Sequence, residues 1–177
     1  DIEQSAIYSD NIHVFGKGEG AVAEEIAAYI DGQNPTVATY AKDGEMFVRV
    51  TAKAGTKEAA ALLCEPVTKE IVAILGDVVY GVNVDSLEQT VVNRLLSRGE
   101  TVATAESCTG GLVSKRLTDI AGVSEVFEMG ACTYSNRIKH LLIDVPNDML
   151  AEYGAVSEQV AKAMAEGVCK TAGSTYG

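Results

Sequence analysis

The chain has 177 residues, 47% apolar and 22% charged, enough for one ordinary domain or two small ones, each with its own core. Lys and Arg number 14 against 25 for Asp and Glu; the formal net charge of −11 argues against broad phosphate-backbone binding, which needs a basic face. No apolar run reaches the roughly 20 residues of a membrane span and no start reads as a signal peptide, so no membrane partner is expected, while four cysteines without a CxxC pair favour reduced thiols in a cytoplasm.

In chain order, Asn11 to Phe15 reads as a strand, followed by Gly16, Gly18 and Gly20 and then a helix carrying Val22, Ile26 and Ile30 at i, i+4 and i+8. Asn34-Pro35 breaks the chain. Thr36 to Ala41 and Glu45 to Lys53 are strands around Asp43-Gly44, a strong hairpin signal. In the second of these Met46, Val48, Val50 and Ala52 share one face, while Arg49, Thr51 and Lys53 point away. A helical stretch from Thr56 to Leu75 places Ala60, Leu63, Cys64, Val67, Ile71 and Ile74 on one stripe, and Pro66 inside it is expected to kink or split it. Val78 to Val84 closes the unit as a last strand. The order β-α-β-β-α-β predicts a helix-on-sheet sandwich of ferredoxin or KH type. The first 84 residues hold 6 basic and 13 acidic side chains and lack a GxxG phosphate clamp, so RNA binding by this unit is not expected.

A second pattern starts at Asp85, which with Glu88 resembles a capping box ahead of Leu87, Val91 and Leu95; Gly99 is the C-terminal stop. A short strand, Thr101 to Ala105, then feeds the turn Glu106-Ser107-Cys108-Thr109-Gly110-Gly111 and a helix from Leu112 to Ile120. Phe127 to Tyr134 reads as extended and Asn136 to Leu142 as helical. Ser157 caps a helix bearing Val160, Met164 and Val168. Gly173 to Gly177 begins what reads as another strand. This alternation predicts an α/β layer structure, short for that architecture at residues 85 to 177 and so read as incomplete.

Four cysteines without a CxxC pair, and two histidines far apart, fit reduced thiols and no zinc site. The Gly16-x-Gly18-x-Gly20 run departs from a dinucleotide fingerprint. The turn after residue 105 is more informative. A strand entering a Ser-Cys-Thr-Gly-Gly turn before a helix offers N–H groups, two hydroxyls and a positive dipole end to an anion, although an ordinary βα turn has the same composition. Cys108 there reads either as a nucleophile with a lowered pKa or as a buried, inert thiol; His140 is the one histidine in this half. Farther on, Ser124, Tyr134 and Lys139 are the parts of a Ser–Lys hydrolase, or else a turn Ser, a packing Tyr and a solvated Lys.

Four motifs, in order, resemble those of the CinA family: Thr104-Ala105-Glu106-Ser107-Cys108-Thr109-Gly110-Gly111; Leu117-Thr118-Asp119-Ile120-Ala121-Gly122-Val123-Ser124; Tyr134-Ser135-Asn136 with Lys139; and Gly154-Ala155-Val156-Ser157. Residues 7–84 are similar to the central KH-like α+β domain of longer members, with Pro35-Thr36-Val37-Ala38 and Gly81 among the fitting positions. Residues 85–177 resemble part of the C-terminal domain, a three-layer α/β/α fold known as a nicotinamide-nucleotide amidase. The resemblance implies hydrolysis of nicotinamide mononucleotide to nicotinate mononucleotide and ammonia through an acyl-enzyme. It implies Ser124 as nucleophile, Lys139 as general base and Tyr134 as an assisting hydroxyl. Ser107, Thr109, Gly110 and Gly111 would line the nucleotide pocket; no metal or redox cofactor is needed, and a homodimer is expected. The family's N-terminal molybdopterin-binding-like domain has no counterpart here, and its amidase domain normally continues through a Gly-rich loop and a later Arg. Two expectations follow: a fragment of the amidase, or a catalytically inactive module acting in binding or dimer assembly.

Overall fold

The computed structural model describes residues 5–42 and 44–177, which divide into two compact units meeting at Leu87 and Glu88. In the first, strands β1 (Ala6–Phe15), β2 (Thr36–Lys42), β3 (Glu45–Ala54) and β4 (Val79–Val82) form one antiparallel sheet in the order β2-β3-β1-β4. Helices α1 (Glu19–Glu25), α2 (Ala27–Ile30) and α3 (Lys57–Leu75) complete the expected β-α-β-β-α-β order. Ile12 and Val14 of β1 and Met46, Val48, Val50 and Ala52 of β3 are buried with Val22, Ile26, Ala60, Cys64, Ile71 and Leu75. The two-residue alternation of β3 therefore set its buried face correctly.

Polar residues account for two of the differences from the sequence reading, the start of β1 and the stripe of α3. β1 begins five residues before Asn11, pairing Ala6 with Ala54 and Asp10 with Val50. Ser9 and Asp10 break its apolar alternation, yet both are matched. Ser9 Oγ meets Thr51 Oγ1 at 2.8 Å, and the buried Asp10 carboxylate accepts from Tyr8, Thr68 and Asn83. The helix expected from Val22 to Ile30 is interrupted at Ile26, whose φ of −102° and ψ of 15° are not helical. α3 runs unbroken through Pro66. That residue lies on the exposed side, and so does Leu62 at i−4, whose carbonyl lacks its N–H partner and can bond water instead. The buried stripe of α3 is Ala60, Cys64, Thr68, Ile71 and Leu75, so Leu63 and Ile74 are 40% and 43% exposed. Thr68 joins the core because its hydroxyl donates to Asp10, which a count of apolar residues does not register. The hairpin expected at Asp43-Gly44 falls partly on Asp43, outside the described residues; Gly44 has a φ of +75°. The last strand is shorter than expected at both ends: Gly76–Val78 forms a 3-10 turn before it, and Asn83, with a φ of +54°, follows Val82.

The second unit contains α4 (Leu87–Arg98), β5 (Val102–Glu106), α5 (Leu112–Thr118), β6 (Phe127–Cys132), α6 (Asn136–Ile143), α7 (Asn147–Tyr153) and α8 (Glu158–Ala172). β5 and β6 are parallel, and Tyr176 pairs in parallel with Val102 on the other side of β5, where a further strand was expected to begin. Alternate residues of β5 serve two cores. Ala103 and Ala105 pack with Ile143, Val145, Leu150, Val160, Met164 and Val168 of the α6–α8 side. Val102 packs with Val92, Leu95, Leu117, Val123 and Val126 of the α4–α5 side. Helices thus cover both faces of a parallel sheet, the expected three-layer α/β/α arrangement. α7 was not anticipated, and α4 buries Val92 with Leu95 while Val91 is exposed.

Candidate active site

Parallel strands deliver the chain to the same edge of a sheet at their carboxyl ends, which is where open α/β sheets place ligands. Here β5 ends into the Ser107–Gly111 turn, and β6 ends at Cys132 and passes through Thr133-Tyr134 to α6, whose N-cap Ser135 accepts from the Ile138 N–H. Lys139 lies in the first turns of α6 and is fully buried. Its Nζ stands 2.9 Å from the Thr133 carbonyl oxygen, 3.0 Å from that of Tyr134 and 3.2 Å from Ser107 Oγ. The two carbonyls can only accept, so they take two N–H bonds of the amine. The remaining direction of the tetrahedral nitrogen faces the Ser107 hydroxyl. In the ammonium form that direction carries an N–H, and in the amine form a lone pair able to take the serine proton.

The Ser124–Lys139 pairing is not formed. Ser124 is exposed in a 3-10 turn, Val123–Glu125, immediately before β6, whereas Lys139 follows that strand. The six residues of β6 lie between the two positions, and at about 3.3 Å per residue they separate them by roughly 20 Å. Ser107 replaces Ser124 as the serine beside the lysine because β5 and β6 run parallel and end together. Tyr134 contributes its carbonyl to Lys139, and its side chain is 74% exposed.

Several donors of the turn expected to bind an anion are already taken. The Gly111 and Val113 amides donate to Glu106 Oε2 at 3.1 and 3.0 Å, and the Ser114 amide and hydroxyl donate to Oε1 at 2.9 and 2.7 Å. The protein's own carboxylate therefore fills the N-terminus of α5. Burial alone would push the Glu106 pKa up. Donation from the Ser114 N–H and hydroxyl, the Val113 N–H and the Thr109 side chain outweighs it and holds the pKa at about 2. The Gly110 amide is spent on the Ser107 carbonyl and that of Leu112 on Thr109, so Gly110 and Gly111 shape the turn, with φ of +61° and +97°.

Glu106 and Thr133 were missed by the sequence reading. A Glu five residues before the N-cap Gly111 matches no capping pattern, because the carboxylate reaches the helix by spanning the turn and not from the N-cap position. Its depressed pKa has a consequence for folding. An unfolded Glu protonates near about 4.3, so the stabilisation from the charged form is complete above about pH 5 and is lost as pH falls toward 2. Glu106→Gln is expected to unfold at lower urea than the native chain at pH 6, with the gap between their midpoints narrowing steadily to pH 2.

A cleft of about 550 Å³ opens beside the serine, lined by Ala105, Ser107, Cys108, Val156, Ser157, Glu158 and Met164 among others. Ser157 caps α8, its Oγ accepting from the Val160 N–H. Cys108 is exposed, not buried, and His140 is committed elsewhere, with Nδ1 2.9 Å from the Val145 carbonyl oxygen. Among the described residues no helix is long and apolar enough to cross a membrane.

The order of elements and the side chains gathered at the strand ends define an α+β sheet unit followed by a three-layer α/β unit with a buried lysine against a serine. Residues 84–177 match the model of the CinA C-terminal domain and residues 9–81 that of the damage-inducible protein CinA KH domain. The chain belongs to the CinA family. A CinA-like protein of Desulfovibrio desulfuricans is 54% identical over 173 residues, covering 98% of this chain and 41% of the relative. One from Kosmotoga olearia is 46% identical over 177 residues, covering 99% of this chain and 43% of the relative. The chain thus spans less than half the length of these curated relatives. Among solved structures, the competence/damage inducible protein CihA of Agrobacterium tumefaciens is 40% identical with a TM-score of 0.49, covering 50% of this chain and 53% of that one.

Proposed function

We propose that the second unit is an amidohydrolase in which Ser107 is the nucleophile and Lys139 the general base, acting on the carboxamide of a nicotinamide nucleotide. The observation that carries the reaction class is the Lys139 Nζ, buried and held by two carbonyls so that its remaining direction meets Ser107 Oγ. Support for the substrate is the family resemblance of the motifs holding both residues.

In the proposed reaction Lys139, as the neutral amine, takes the hydroxyl proton while Ser107 Oγ attacks the carboxamide carbon. The tetrahedral oxyanion needs donors; the amides of Gly110 to Ser114 are spent within the turn and on Glu106, and those of Cys108 and Thr109, next to the nucleophile, are the ones proposed to supply them. The lysine then returns its proton to the departing nitrogen, releasing ammonia, and water hydrolyses the serine ester with the same base. The cleft beside Ser107 receives the ring, and the exposed phenol of Tyr134 is available to the bound substrate. The test is ammonia release from nicotinamide mononucleotide with hydroxylamine present. Formation of the hydroxamate alongside ammonia supports an acyl-enzyme; absence of both products overturns the reading.

A further inference from the structure

Residue 106 is anchored on three sides. Glu106 pairs with Cys132 across the β5–β6 ladder, its carbonyl accepts from the Thr133 N–H at 2.8 Å, and its carboxylate collects the donors of the α5 terminus. From its carbonyl the bonds form a closed circuit. The Thr133 N–H donates to it, the Thr133 carbonyl accepts from Lys139 Nζ, Nζ meets Ser107 Oγ, and Ser107 is joined to Glu106 by their shared peptide. The anchor itself has little freedom. Ser114 Oγ is also 2.7 Å from Thr104 Oγ1, and a Cβ on Gly130 would stand 2.5 Å from that same oxygen, so both strands confine it.

We propose that Glu106 is the positioning residue of the Ser107–Lys139 pair: its carboxylate, fixed in the α5 terminus, sets where Ser107 Oγ stands against the amine. This rests on the Ser107–Lys139 pairing and not on the identity of the amide. Four donors from Gly111, Val113 and Ser114, joined by the Thr109 side chain, converge on two oxygens, an arrangement only a carboxylate accepts in full. The amide nitrogen of a glutamine would confront an N–H, turning residue 106 and displacing the serine beside it. A displacement on the order of 1 Å in such a pair costs about 100-fold in rate.

The experiment compares the native chain, Glu106→Gln and Ser114→Ala by two readouts. One is kcat and KM for ammonia release; the other is the rate at which a small fluorophosphonate labels Ser107, located by mass spectrometry, which needs no nicotinamide substrate. Near-ultraviolet circular dichroism confirms folding. The expected result for folded Glu106→Gln is about a 100-fold fall in kcat and in labelling, with KM within about twofold. Ser114→Ala, which removes the hydroxyl donor and keeps the carboxylate, is expected to slow labelling about threefold to tenfold, and it decides the matter if Glu106→Gln does not fold. Labelling at the native rate in either folded variant overturns the proposal, and so does a native Ser107 that is not labelled at all. Labelling that falls as expected in a chain that releases no ammonia upholds the positioning role and removes the nicotinamide substrate.

Discussion

Ser107→Ala is expected to lower ammonia release by about 10³-fold or more, while Ser124→Ala leaves kcat and KM within about twofold of the native chain. The first removes the oxygen that faces the buried amine at 3.2 Å. The second alters an exposed side chain at the opposite end of β6. Lys139→Met should match Ser107→Ala in size, because a nucleophile without its base and a base without its nucleophile fail at the same step. For the same reason the double variant should be no slower than either single one. Loss of activity on replacing Ser124, with Ser107→Ala active, would return the nucleophile to the position the motif resemblance implied. Loss on replacing Cys108 alone would place the chemistry on the thiol that lines the cleft.

The lesson of Ser124 concerns what a linear motif can carry. The strands, most helices and the Ser157 cap were legible, because alternation along β3 and the 3.6-residue spacing along α8 express burial directly in residue order. Lys139 was read either as the lysine of a Ser–Lys pair or as a solvated side chain, and the structure buries it beside a serine. Its partner was not legible. Ser124 lies nearer to it in sequence than Ser107 does, and nothing local shows that the parallel pairing of β5 with β6 brings the ends of the two strands together. The same limit hid Thr133, whose contributions are backbone groups, and Glu106, whose reach across the turn depends on the folded path of Ser107 to Gly111. In the first unit Thr68 was hidden for an allied reason. A hydroxyl satisfied by Asp10 58 residues away is as buried as a valine, yet contributes nothing to an apolar stripe.

The second large effect joins stability to the site. Gly167→Ala is expected to destabilise the second unit by about 3 kcal/mol or more and to lower its melting temperature by more than about 10 °C. An ideal Cβ there would lie 2.0 Å from the carbonyl oxygen of Ile143 and 3.2 Å from its Cβ. The obstacle is main chain, so no rotamer change relieves it; α6 and α8 must move apart. Those are the helices that carry Lys139 and flank the cleft, so the folded remainder of this variant should also lose alignment of Ser107 with Nζ and be labelled more slowly. Gly20→Ala is the contrasting case: it lies inside α1, with nothing within 4 Å of the added carbon. Restricting the unfolded chain there should leave stability unchanged or raise it by up to about 1 kcal/mol. A melting temperature for Gly167→Ala equal to that of the native chain would mean that the two helices pass farther apart than the glycine contact requires. The geometry of the serine–lysine pair would then have to be maintained by the strand ends and the Glu106 anchor alone.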